Sequence, residues 1–503
     1  MPSEAPTVLT THGTIRGTAA GGVHAFKGIP YAAPIAGPAR FEAPGEPERW
    51  DGTRDASRFS PGVPQPAFVG APPPLWTPGD GDDCLSVNVW TPDPGSAGLP
   101  VLVWLYGGAF IIGSSSQPDY DGAILAAGGA VVVTLNYRVG LEGFGALPGR
   151  PANRWLRDQL AALRWVQDNI AAFGGDPANV TVFGQSAGAT SVVTLVAAEA
   201  GRGLFRRAIG QSVAGTVKTE DEALAVTGRI AAALGVPATD EGFAAVPAEA
   251  IHAVQGRPGE ITPYGPVLDG ELVLGLPWHH LRGEVDLVVG FTRDEFRLFA
   301  MLEGLTEADP VATAAGVGLP PSALAEYRAA HPGISDLDLH NLILSDRIFR
   351  MPSLWCARHH PGRAFCYEFT WPSPAFGGAL GACHGIEVGL TFGNLAGGLT
   401  ELLLGSPTPP EAAVLSKEIR KAWLAFAADG DPGWPAFGSA DGGVVGSAEG
   451  GVVGSADGGV VGSAEGGVAG SAEGGLVRRW DVPIDVVADP EPVSRRIWEP
   501  FLG

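Results

Sequence analysis

The sequence predicts an α/β fold: a mostly parallel central sheet with helices on both faces. Three observations predict it. Short apolar runs rich in Val, Ile and Phe alternate along the chain with segments of helical period, as strands buried on both faces alternate with covering helices. One run, Val180-Thr181-Val182-Phe183, passes through Gly184-Gln185-Ser186-Ala187-Gly188 into a helical segment holding Val192, Val193, Leu195 and Val196. Hydrophobic residues make up 45% of the 503 and charged residues only 17%, enough apolar surface for a large core. Length alone suggests about three domains. A large sheet with long insertions accommodates that length, so residues 1–503 are read as one domain.

The elements follow in order. Val8 to Gly17 alternates as a strand pair turning at His12-Gly13, and a Pro- and Gly-rich stretch runs from Arg40-Phe41 to Trp50. Pro61 to Asp83 is irregular and reads as a surface loop near the entrance of a pocket. Leu85–Trp90, Pro100–Tyr106 and Ala130–Asn136 read as strands, the last two as buried ones. Leu156, Leu160, Leu163, Val166 and Ile170 share one face of a helix over 156–173. Strands are expected again at Arg207–Gln211, Asp286–Phe291 and Ala364–Phe369. Small helices are expected over 216–254, and helices over 322–344 and 411–427. Gly438 to Val477 is a tandem array of an eight-residue unit, Gly-Ser-Ala-Asp/Glu-Gly-Gly-Val-Val, varied in its last two copies. Glycine-rich calcium repeats have a nine-residue unit with other aspartate placement, so the array reads as an inserted solvated loop swollen by duplication. A strand pattern resumes over Val477–Ile484, and Ser494–Phe501 closes the chain as a short helix.

Bulk properties narrow the function. A formal charge of -22 repels nucleic acid phosphate and anionic membrane surfaces. No stretch reaches the roughly 20 apolar residues of a membrane span, and Met1 to Pro6 lacks the basic and apolar regions of a secretory signal. Four cysteines are too few for a disulfide framework. The expected setting is the cytoplasm, as monomer or homodimer, without nucleic acid or membrane partners.

The chemistry gathers around Ser186. G-x-S-x-G forces the serine into a sparsely populated backbone conformation between strand and helix, clear of the chain on both sides. The helix amino terminus beneath it supplies partial positive charge where an oxyanion forms. A serine nucleophile further needs a base, an acid that orients the base, and oxyanion donors. Tyr106-Gly107-Gly108-Ala109-Phe110 directly follows an early strand, and its glycines free N–H groups to converge. The donors are assigned to Gly108, Ala109 and Ala187. The acid lies in the polar turn Thr292-Arg293-Asp294-Glu295, with Glu295 the first choice and Asp294 the alternative. The base is His384, flanked by glycines in Gly381-Ala382-Cys383-His384-Gly385. His279-His280 and His359-His360 are adjacent pairs on surface or capping positions, without zinc-ligand spacing. Cys383 is not paired with His384, because neighbouring side chains diverge.

Taken together, the motifs resemble the type-B carboxylesterase family, the group of cholinesterases and bacterial para-nitrobenzyl esterases. The matching stretches are Phe26 to Ala32, Arg40-Phe41, Asp83 to Trp90, Tyr106 to Phe110, Asn136-Tyr137-Arg138, Asp158-Gln159, Phe173 to Pro177, Gly184 to Ala189, Gln211-Ser212, Asp269-Gly270 and the turns holding Glu295 and His384. The resemblance implies an α/β-hydrolase fold, glutamate as the triad acid, and cofactor-free hydrolysis of small carboxylic esters. The same triad acting on lactones, amides or thioesters, and a non-catalytic binding protein of cholinesterase type, are the alternatives. Four positions depart from the family pattern. Gln185 replaces the common glutamate before the nucleophile, Phe296 the glycine after the acid, and Trp155 a glycine before the elbow. Cys84 has no upstream cysteine with which to form the bridge of secreted relatives.

Overall fold

The computed structural model describes residues 5–67, 74–257, 260–438 and 475–501. Most of the octapeptide array therefore lies outside the described residues, as does part of the 61–83 segment. The described residues hold fourteen strands: β1 (Thr7–Thr10), β2 (Gly13–Arg16), β3 (Thr18–Ala20), β4 (Val23–Pro30), β5 (Thr53–Asp55), β6 (Ser86–Thr91), β7 (Leu99–Leu105), β8 (Val131–Leu135), β9 (Gly175–Gln185), β10 (Arg207–Gln211), β11 (Asp286–Thr292), β12 (Ala364–Phe369), β13 (Leu476–Trp480) and β14 (Asp485–Ala488). β1, β2 and β5 form a small sheet, and the others form one 11-stranded sheet in the order β14-β13-β12-β11-β10-β9-β7-β8-β6-β4-β3.

From β8 through β13 neighbouring strands run parallel, and both outer margins are antiparallel. Every residue of β8, β10 and β12 is buried. Successive side chains of a strand point to opposite faces, so unbroken burial means both faces are covered. The covering helices include Arg154–Asn169, Ala187–Ala197, Met351–His359 and Pro410–Asp429. The predicted face Leu156, Leu160, Leu163, Val166 and Ile170 is fully buried. Among the described residues no helix is long and apolar enough to cross a membrane.

Several sequence expectations are corrected. The helix foreseen over 322–344 is two, Pro321–Ala330 and Asp336–Ser345, broken at His331-Pro332-Gly333, where proline and glycine stop helical propagation. The first of the small helices is long, Glu220–Leu234, with a capping box from Thr219 and Glu222. The 61–83 segment is not wholly a surface loop: Val63 and Gln65 are buried, and the Gln65 amide exchanges two 2.8 Å hydrogen bonds with the backbone of Gly113. Of the surface or capping positions expected for the histidine pairs, His360 takes a capping one: it is buried at the C-cap of the helix Met351–His359, with Nδ1 accepting from Gly362 N. The last repeat does not end in loop. Leu476 and Val477 open β13, where Val477 pairs with Cys366. Val477 is fully buried between β12 and β14, where an apolar side chain gains more from burial than from solvation.

Buried polar ties fix the loops at the carboxyl edge. Arg138 and Asp158 are fully buried and joined by bonds of 2.8 and 2.6 Å, while Arg138 Nη1 donates to Glu42 O. Such a buried pair is satisfied only because nearly every donor is used. Tyr106 and Tyr137 stack at 4.3 Å, and each hydroxyl donates to the other residue's carbonyl, which locks the loop after β7 to the loop after β8. All four cysteines are free and buried.

Candidate active site

In a parallel sheet the strand carboxyl ends share one edge, and loops from neighbouring strands meet there. β9, β10, β11 and β12 are neighbours in register, with Gln185 opposite Gln211, Gln211 opposite Gly290, and Gly290 opposite Tyr367. Ser186 directly follows β9. Its backbone sits at φ 60, ψ -123, the left-handed region that non-glycine residues rarely adopt. Two anchors hold it there: Ser186 N donates to Gln211 O at 2.8 Å, and Thr190 N donates to Ser186 O at 2.9 Å. The glycines of the motif are required by close approach. A Cβ on Gly188 would lie 2.0 Å from Leu105 O, and one on Gly184 would lie 2.6 Å from Gly188 O. The serine is 8% exposed, at the amino terminus of helix Ala187–Ala197.

The loop after β7 lies against this turn. A Cβ on Gly107 would come within 3.1 Å of Ser186 Cβ. Ala109 and Phe110 have φ of 53° and 63°, a tight reversal in which Ile111 and Ile112 donate back to Gly108 O. Among the described residues the N–H groups of Gly108 and Ala109 donate to no protein acceptor. Phe110 packs on Phe144, which stacks on Trp155 at 5.0 Å and 9°. The tryptophan thus fills space behind this loop where the family pattern has glycine.

The acid turn and the histidine loop are joined along their backbones. Asp294 N donates to Ala382 O, and His384 N donates to Glu295 O. Glu295 is fully buried; Oε1 accepts from Thr292 N at 2.8 Å and Oε2 accepts from His384 Nδ1 at 2.5 Å. Asp294 turns away and accepts from Ala382 N beside Arg293 and Arg297. Of the two acids weighed from sequence, only Glu295 reaches the imidazole. Phe296 takes ordinary right-handed backbone, φ -77, so the turn needs no glycine after the acid.

Two features near His384 escaped sequence reasoning. Phe349 and Phe299 pack against its ring at 4.3 and 5.2 Å, from elements with no motif of their own. Gln185 Nε2 lies 3.1 Å from His384 Nε2, whereas Ser186 Oγ makes no hydrogen bond among the described residues. Ser186 and His384 are therefore not hydrogen-bonded to each other. The lone-pair partner of Nε2 is the neighbouring amide. The signal for this was in the sequence, as the glutamine beside the nucleophile.

One further carboxyl lies behind the pair. Glu387 is buried, receives the Tyr367 hydroxyl at 3.4 Å, and is pushed up to about 8 by burial and then by the charge of Glu295. Burial also pushes the Cys383 thiol far up, so it is inert beside the histidine.

A parallel sheet with a strained serine after a central strand, and a His–Glu pair on the loops of strands farther along the same edge, defines an α/β-hydrolase. The carboxylesterase family model matches residues 4–313, and the chain belongs to that family, the type-B carboxylesterases. It is 37% identical to the para-nitrobenzyl esterase of Bacillus subtilis, over 86% of this chain and 92% of that one. It is 35% identical to the phenmedipham hydrolase of Pseudarthrobacter oxydans, over 88% and 94%. It is 31% identical to the cholinesterase of Mus musculus, over 86% and 82%. The solved carboxylesterase of Geobacillus stearothermophilus superposes with a TM-score of 0.82 at 32% identity, covering 98% of this chain and 99% of that one. The chain is a carboxylic ester hydrolase.

Proposed function

We propose that the chain hydrolyses small carboxylic esters through an acyl-enzyme on Ser186, with His384 as base, Glu295 as acid, and the N–H groups of Gly108, Ala109 and Ala187 as oxyanion donors. The observation that carries this reading is the buried 2.5 Å bond from His384 Nδ1 to Glu295, which leaves Nε2 on the side of the elbow, against Gln185. Ionised Glu295 accepts on both oxygens, so the ring proton sits on Nδ1 and Nε2 is the basic atom. Nε2 removes the proton from the Ser186 hydroxyl as Oγ bonds to the ester carbonyl carbon. The electron pair of the carbonyl moves onto oxygen, which the three N–H groups hold. The imidazolium returns the proton to the departing alcohol, and water repeats the sequence on the acyl-enzyme. Glu295 balances the imidazolium throughout. The substrate class follows the relatives, two of which are named for a para-nitrobenzyl ester and for phenmedipham.

The test is a panel of para-nitrophenyl esters of graded acyl length with wild type and Ser186→Ala. A loss in kcat on the order of 10⁴-fold or more is expected. Turnover unchanged in the folded variant overturns the assignment.

A further inference from the structure

Gln185 is the last residue of β9 and is almost fully buried. Its carboxamide is wedged between two glycine loops. A Cβ on Gly107 would lie 3.1 Å from its Oε1, and one on Gly385 would lie 3.7 Å from its Nε2. That places the amide N–H on the one ring atom of His384 able to accept, at 3.1 Å. Proton accounting fixes the direction. Glu295 accepts from Nδ1–H, so a neutral ring offers at Nε2 a single in-plane lone pair. An amide N–H fits that lone pair, and the Ser186 hydroxyl needs the same one. Among the described residues Ser186 Oγ has no hydrogen bond while the amide holds it.

We propose that the Gln185 carboxamide is a neutral latch on His384, occupying Nε2 in the unliganded enzyme and yielding it to Ser186 when an ester enters. Gln185 is thus a positioning residue, acting on the nucleophile through the base. The proposal rests on the Ser186–His384–Glu295 reading. The groups against His384 from packed elements are Glu295 from the turn after β11 and the uncharged rings of Phe299 and Phe349, while Glu387 and Cys383 of its own segment bear on Glu295. None but Gln185 donates to Nε2 among the described residues. A glutamate at this position would behave differently. A carboxylate has no proton to donate, so it meets Nε2 only when the ring is protonated, and it favours the imidazolium.

The experiment measures the rates of Ser186 acylation by para-nitrophenyl acetate and of its sulfonylation, with loss of fluoride, by phenylmethylsulfonyl fluoride from pH 5.5 to 9, in wild type, Gln185→Met, Gln185→Glu and Ser186→Ala. Methionine keeps length and volume but removes the donor. A neutral hydrogen bond of this kind is worth a factor of about 2 to 10, so Gln185→Met is expected to acylate about 2- to 10-fold faster. Gln185→Glu is expected to move the acid limb of the rate profile upward by about one unit or more. A folded Gln185→Met that acylates at the wild-type rate or slower overturns the latch. If Gln185→Met does not fold, the Glu variant decides, and an unmoved acid limb overturns it. Labelling that persists in Ser186→Ala overturns the triad reading instead, which keeps the two failures apart.

Discussion

Replacing Glu295 by glutamine removes one charge and one acceptor while keeping the shape of the side chain, and the structure sets the cost. Both carboxylate oxygens are committed as acceptors, one to Thr292 N–H at 2.8 Å and one to His384 Nδ1–H at 2.5 Å, with no exposure to water. Glutamine has one oxygen. If that oxygen faces the imidazole, the NH2 faces the Thr292 N–H, donor against donor. If it faces Thr292, the NH2 meets Nδ1, and the ring must carry its proton on Nε2, where it is no base for Ser186. A buried mismatch costs about 1–3 kcal/mol, and losing the ionised partner of the imidazolium about 1.5–3 kcal/mol more. The sum, about 3–6 kcal/mol, corresponds to a fall in kcat of about 10²- to 10⁴-fold. KM should change little, because the acid does not touch the ground-state ester. Steady-state hydrolysis of para-nitrophenyl acetate, with a thermal melt as control, reads both. A folded Glu295→Gln enzyme with kcat within threefold of wild type would refute the reasoning.

Two further predictions concern Glu387 and the octapeptide array. Glu387 titrates near 8 in the folded chain against an ordinary value of 4.5, so the folded state keeps a proton that the unfolded chain releases. The stability from this neutral carboxyl is full below about 4.5 and is lost as pH rises through 8, at up to about 1.4 kcal/mol per pH unit. Glu387→Gln has no such proton. Its urea midpoint should gain on wild type between pH 5 and 8, and parallel midpoints would refute this. Excising residues 439–474 should leave kcat within about twofold, because the chain leaves and re-enters at one place: a Cβ on Gly475 would lie 2.4 Å from the Phe437 ring. Leu476 and Val477 must be kept as part of β13. A loss of turnover beyond tenfold would mean that the array touches the site.

Legibility from sequence followed the reach of each interaction. The strand, elbow and helix around Ser186 are local: apolar period, glycine positions and helix start lie within about twenty residues and needed no tertiary knowledge. The buried strands were legible for the same reason: the expected ends of β10 and β12 coincide with the observed ones, those of β6, β7, β8 and β11 moved by at most one residue, and those of β9 by several, where solvation and ladder bonds compete. The proposed acid was legible only to a pair. Asp294 and Glu295 have the same chemistry in sequence, and the choice depends on which carboxylate the Thr292 N–H and the His384 loop draw inward. The rings of Phe299 and Phe349 on the imidazole were not legible at all. Aromatic residues on apolar helices look alike until packing selects the few that meet a given side chain.

One departure from the family pattern, Gln185, makes sense as charge balance around one imidazole. Among the described residues, side chains with carboxyl or amide ends near the imidazole or its acid partner include Glu295, Glu387 and Gln185. Each further buried anion near Glu295 would cost several kcal/mol unless paired. Among the described residues the one group positioned to pair with Glu295 is the His384 ring. Glu387 meets this by holding its proton, pushed up first by burial and then by the Glu295 charge. Gln185 meets it by chemistry, with an amide that carries no charge at any pH. In the proposed reaction the site is left with one negative charge for the one positive charge that appears when His384 takes the serine proton. That balance favours the protonated ring only during reaction. A second fixed anion would favour it at rest, when Nε2 must still be a base.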